Sequence, residues 1–228
     1  AAGMLAPYAE GLTGELLKLS QLSLNRIPNW IQEIENDSGI NCGLKKCGTI
    51  VPFPSIEERD AHQCACFGQT LNRKEVENEM PGIAAKWKTA LLFEQDGQID
   101  NRRQLMRALE KACVKLGVHF QEGVEILDLL NDEKEFEGVI IRTAEGKVTR
   151  LIRENAVLCG GAWSNEIFSS IPIFPVKGQM MSLQGPKEAL KRILYGPGTY
   201  IVPRDDGLIV IGATSEKNAG FQEGLTPF

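Results

Sequence analysis

The chain has 228 residues, 43% apolar and 24% charged, ordinary values for a globular protein of one or two domains that buries roughly 70% of its unfolded surface. Its net charge of −5 offers no basic stripe, which argues against a nucleic-acid partner. No apolar run approaches ~18 residues, so no membrane-spanning helix is expected, and a cytosol-like compartment is the default.

The chain opens on AAGMLAPYAEG, a small-residue run that passes Gly3, Met4 and Pro7 with no first strand and no leader-like segment. Such a run normally follows something. Leu16, Leu19, Ser23, Ile27, Trp30 and Ile34 then recur at helical spacing, which predicts an amphipathic helix over 13–36. Thr13 is its candidate cap, Pro28 should kink or divide it, and Asn36-Asp37-Ser38-Gly39 should stop it.

CGTIVPF reads as a short strand, followed by a polar stretch from Ser55 to Lys74. LLFEQDGQID reads as strand and turn, after which Asp100 or Asn101 caps a helix that runs to Gly117. VHFQEGVEIL is expected as a strand, and FEGVIIRT should form a hairpin with the strand after AEGK. NAVLCGGAWSNEIFSS predicts an apolar strand, a Gly-Gly turn and a helix start. FPVKGQMMSL and TYIVPRDDGLIVIGAT predict further strands, with Asp206-Gly207 as a two-residue hairpin turn.

Pieces of α/β character (1–38 and 99–168) thus alternate with pieces of antiparallel-sheet character (39–98 and 169–228). That predicts two domains, each threaded twice. Segments near 47–53, 90–94, 174–184 and 198–214 should form one antiparallel sheet.

The six cysteines do not make a disulfide framework in a chain of this length. His62, Cys64 and Cys66 cluster in HQCAC, but Cys64 and Cys66 stand closer than the pairs of a structural zinc site, so no metal is expected. Neither His62 nor His119 has a recognisable nucleophile or base partner. In VLCGGAWS, Gly160 and Gly161 could admit a phosphate to a helix N-terminus, or simply make a tight strand-to-helix turn. Tyr200 and Met4 read by themselves as a packed sheet tyrosine and a core methionine. No phosphate-binding or dinucleotide fingerprint occurs in the chain.

Four stretches together, AAGMLAP, DGQIDNRRQLMRAL, VLCGGAWS and FPVKGQMMSL with YIVPRDDGLIVIGATSE, resemble the D-amino-acid-oxidase-type flavoproteins, most of all the glycine oxidases of thiamine biosynthesis. The resemblance implies an α/β fold: a partial, doubly wound FAD-binding domain (1–38 and 99–168) and an antiparallel-sheet substrate domain (39–98 and 169–228). It implies that AAGMLAP follows a βαβ unit with the glycine-rich fingerprint, and that a carboxylate-clamping arginine lies beyond Phe228. On its own the chain is therefore expected to hold FAD weakly and to be inactive.

Residue by residue, the likeness implies that Ala2, Gly3 and Met4 line the flavin, the last two through backbone amides. Ala6 borders the substrate. Val124 and Ile126 meet the adenine side, and Gly160, Gly161 and Trp163 support the nucleotide half. Tyr200 hydrogen-bonds the substrate carboxylate. The implied reaction is FAD-dependent oxidative deamination of a small amino acid by oxygen, with a homo-oligomer compatible and no nucleic acid or membrane partner. Two alternatives stand beside it: a sarcosine-oxidase-like enzyme acting on N-methyl amino acids, and a non-catalytic interaction fragment.

Overall fold

A computed structural model describes residues 2–131, 135–187 and 190–226. In chain order its elements are β1 (Met4–Leu5), α1 (Gly14–Ser38), β2 (Thr49–Phe53), α2 (Ile56–Asp60), β3 (Gln69–Leu71), α3 (Arg73–Glu79), β4 (Thr89–Phe93), β5 (Gly97–Gln98), α4 (Met106–Lys115), β6 (Glu125–Asn131), β7 (Phe136–Arg142), β8 (Val148–Ile152), α5 (Ser164–Ile167), β9 (Met180–Gln184), β10 (Ile193–Gly196), β11 (Thr199–Pro203) and β12 (Leu208–Gly212). They fall into two compact units: 1–117 with 179–214, and 118–178 with 215–228. These boundaries follow compactness and differ from the functional partition expected above.

The first unit is built on a seven-stranded sheet in the order β3-β4-β2-β10-β11-β12-β9. Side chains alternate across a strand, so the two faces of β2 and β4 feed two cores. Val51, Leu91 and Phe93 pack with Ala6, Ala9 and Cys64. Ile50, Ala90 and Leu92 pack with Leu71, Val76 and Met80. The sheet is not wholly antiparallel as expected: β10 lies parallel to β2, with Ile193 opposite Thr49. Of the segment 174–184, only Met180–Gln184 is strand.

α1 runs unbroken through Pro28 and ends where Gly39, at φ 69°, donates to Glu35 C=O. Thr13 occupies the cap position without a side-chain hydrogen bond. The buried face of α1 is Ile31, Ile34 and Ser38, while Leu16 and Leu19 stay exposed. Ile31 and Ile34 pack with Ala108 of α4. Asp100 does cap the helical stretch after it, since its Oδ1 accepts from Arg103 N, but the first turn is a wide π turn over Asn101–Leu105. The β11–β12 turn has three residues, not two. Arg204 pairs with Leu208, and Gly207 takes the left-handed position at φ 88°.

The second unit carries an antiparallel meander, β6-β7-β8, including the expected β7–β8 hairpin. Residues 118–121 are not strand, so the predicted strand starts only at Glu125. Residues 155–159 form no strand either. An apolar strand needs a neighbour to take its amides, and this segment has none among the described residues; Val157 is 87% exposed.

Candidate functional site

The first unit gathers five of the ten residues singled out from the sequence. Ala2 is buried with Cys47, Ile193 and Val202, and Met4, Tyr200 and Val210 pack against that group. Met4 also touches the neighbouring core that holds Ala6. β1, two residues long, pairs with β5, placing Met4 opposite Gln98. Gly3 is buried at φ 73°, a conformation that glycine adopts freely.

Tyr200 stands in β11 opposite Gly212 of β12. A Cβ on Gly212 would come within 2.5 Å of the tyrosine hydroxyl, so the bare glycine is what gives the ring its seat. The hydroxyl donates to Met180 Sδ at 3.1 Å, a weak acceptor. Burial pushes its pKa up, the Ala2 backbone beside it pulls the other way, and the charge of Glu10 adds to the rise. Tyr195, raised by burial, also faces Glu10. Glu10 is exposed as a residue, yet partial burial raises its pKa. A cleft of about 350 Å³ opens beside Met4, Ala6 and Glu10, with Leu19, Ser23 and Ile27 of α1 across it.

The loop from Ala6 to Leu12 is bracketed at Ala9. Asp96 Oδ2 accepts from Ala9 N at 3.1 Å, and His62 Nε2 lies 3.2 Å from Ala9 O. Because His62 Nδ1 accepts from Cys64 N, the ring is neutral with its proton on Nε2, and burial lowers its pKa. Asp96 is fully buried, and burial lifts its pKa to about 7; the amides of Ala9 and Tyr8 only partly oppose this. The Thr49 hydroxyl also works against the rise, as the least of these effects. Among the described residues, Asp96 Oδ1 and Thr49 Oγ1 form no full hydrogen bond.

The other five candidates lie in the second unit. Ile126 pairs with Ile141 in the meander, and Val124 just precedes that strand. Gly161 has φ 54° and open space over its Cα, while a Cβ on Gly160 would meet Ser164 Oγ at 3.2 Å. Trp163, 57% exposed, stacks on Phe221 at 5.0 Å. The helix after the two glycines is only four residues long, too short to make an anion site of its own.

Sequence reasoning missed Glu10, Tyr195, Asp96 and Arg204. Glu10 had one signal, a lone acid in a small and apolar run. The half-buried guanidinium of Arg204 donates to Gln98 Oε1 at 2.6 Å, to Ile99 O at 3.1 Å and to Ala2 O. Gln98 is oriented in turn by its donation to Pro203 O at 2.7 Å.

The Ala2–Met4 run fits the edge of a flavin ring. Ala2 and Ala6 put no bulk in the way, and the buried Gly3 N–H has no hydrogen-bond partner among the described residues. Bound there, FAD would supply a two-electron acceptor for a C–H bond beside an amine.

Known proteins resemble this chain in sequence and in fold. Residues 1–227 match the family described as DAO, FAD dependent oxidoreductase. The bifunctional protein ThiO/ThiG of Synechocystis is 35% identical over 95% of this chain and 32% of its own length. The glycine oxidase of Geobacillus kaustophilus is 29% identical over 94% of this chain and 59% of its own. The crystal structure of glycine oxidase from that organism superposes with a TM-score of 0.87 at 27% identity, covering 99% of this chain and 63% of that one. The chain thus spans about a third of the bifunctional relative and about three fifths of the glycine oxidase. With nearly its whole length matched in sequence and in fold, the chain belongs to the FAD-dependent oxidoreductase family of D-amino-acid-oxidase type.

Proposed function

We propose that the full-length protein is a glycine-oxidase-like enzyme. It would convert a small amino acid, oxygen and water to an oxo acid, ammonia and hydrogen peroxide, and would serve thiamine biosynthesis. The observation that carries this reading is the grouping of Tyr200 with the orphaned amide of the Ala2–Met4 run in one cluster. The relatives' names, ThiO/ThiG and glycine oxidase, support the substrate class and the pathway.

In this reading residues 1–38 and 99–168 serve the cofactor, and residues 39–98 and 169–228 serve the substrate. Gly3 and Met4 present backbone amides to the ring. Tyr200 donates its hydroxyl to the substrate carboxylate, and Ala6 limits the space beside the α-carbon. Glu10 supplies negative charge on the side where an amine would enter. Val124, Ile126, Gly160, Gly161 and Trp163 are assigned to the nucleotide half. Holding the α-carbon in register is the main task of the protein, worth several orders of magnitude in effective concentration.

The test is peroxide and ammonia release by the full-length protein given glycine or sarcosine. Equimolar peroxide and ammonia from glycine are expected. Peroxide from sarcosine alone would move the assignment to N-methyl amino acids, and none from either would refute it.

A further inference from the structure

The geometry of the Ala2–Met4 run depends on a side chain some two hundred residues away. In an antiparallel ladder Gly3 and Ile99 should exchange two hydrogen bonds, because they flank the non-bonded pair Met4 and Gln98. Only one of the two forms: Ile99 N donates to Gly3 O at 2.8 Å. The reverse bond does not form among the described residues, and Ile99 O accepts from Arg204 Nη1. Arg204 Nη2 takes Ala2 O as well.

A trans peptide sets its carbonyl and its N–H in opposite directions. Drawing Ala2 O onto Arg204 therefore turns Gly3 N–H away from β5, and Gly3 O on Ile99 turns Met4 N–H away in the same manner. Both carbonyls point to the side of Ile99 and Arg204, which a regular strand does not allow. The positive φ of Gly3 permits it. Consecutive amides released on one side make the kind of concave donor pair that receives an electron-rich ligand atom.

We infer that Arg204 is a positioning residue for these two amides. By occupying Ile99 O it keeps the ladder open, and by holding Ala2 O it aims Gly3 N–H outward. Arg204 also directly follows the last residue of β11, which carries Tyr200, so one guanidinium ties the amide run to the strand of the tyrosine. That the ligand is a flavin rests on the oxidase reading; the conformational claim does not.

The test is amide hydrogen exchange by NMR in the full-length protein freed of bound FAD, comparing Arg204→Met and Arg204→Lys with the wild type. With Ile99 O released, Gly3 N–H should close the ladder. Its exchange should then slow about tenfold in Arg204→Met, the worth of one net hydrogen bond. Arg204→Lys, with a single small donor head, should fall between, and millimolar guanidinium should restore fast Gly3 exchange in Arg204→Met. Affinity for FAD, from quenching of its fluorescence, should fall in parallel. A plain structural cross-link would behave in the opposite way, with exchange accelerating at Gly3, Leu5 and Gly97 together, and that result would overturn the inference. Unchanged Gly3 exchange in both variants would overturn it too. If Arg204→Met does not fold, the lysine variant decides. A wild type that binds no FAD would sink the oxidase reading, while the exchange data would still judge Arg204.

Discussion

Asp96→Asn should remove a pH dependence of stability between about pH 4 and 7, and so reverse which protein is the more stable across that window. The Asp96 carboxyl is fully buried, gains one hydrogen bond from Ala9 N, and has a pKa lifted from the ordinary 3.8 to about 7, chiefly by burial. The folded state therefore binds a proton that the unfolded chain gives up near pH 4. Stability from this group is present below that point and is lost as pH rises toward 7. At about 1.4 kcal/mol per pH unit, the loss is about 4 kcal/mol. Asparagine keeps an oxygen for Ala9 N–H and brings an NH₂ group toward Thr49, whose hydroxyl forms no full hydrogen bond among the described residues. One N–H left unpaired costs about 1–3 kcal/mol at any pH. The variant should thus be the less stable protein at pH 4 and the more stable one at pH 8. Urea unfolding across this range measures both curves, and taking their difference cancels His62. Parallel curves would refute the account of Asp96 as a buried neutral acid.

His62 has the opposite sign. Its pKa is lowered by burial, so stability is lost as pH falls below its ordinary 6.5. His62→Gln should flatten that acid-side slope in thermal melts, and an unchanged slope would remove His62 from the clamp on Ala9. Gly97→Ala would put a Cβ 2.4 Å from Lys45 O, so a loss of about 1–3 kcal/mol is expected in urea midpoints at constant slope; no loss would mean that the close approach of β5 is soft. On the proposed reading, Tyr200→Phe in the full-length protein would remove a hydrogen bond to a charged group worth about 1.5–3 kcal/mol, and KM for glycine would rise roughly 10- to 150-fold with kcat little changed. Unchanged kinetics would leave the hydroxyl with Met180 alone.

The strands whose neighbours in space are also near in sequence were legible. β7 with β8, and β11 with β12, are hairpins announced by turn residues, and β2 and β4 announced themselves as apolar runs. β10 was not legible, because its place beside β2 joins Ile193 to Thr49 across the length of the chain. Residues 155–159 were legible as apolar but not as strand, since apolar character does not supply a partner for backbone amides. At the site, resemblance pointed to Ala2, Gly3, Met4, Ala6 and Tyr200, which the fold does bring together. It was silent on Asp96 and Arg204, whose effects come from burial and from carbonyls far away in sequence. The glycines of VLCGGAWS lead into a single short turn of helix, so their spacing alone could not separate a ligand site from a turn.

The most direct measurement is the absorbance of the flavin in the purified full-length protein, mixed with glycine in the absence of oxygen. The account predicts that the visible flavin band bleaches with glycine and returns with one equivalent of peroxide when air is admitted. A band that stays unchanged with glycine and with sarcosine, or a purified protein carrying no flavin, would contradict it.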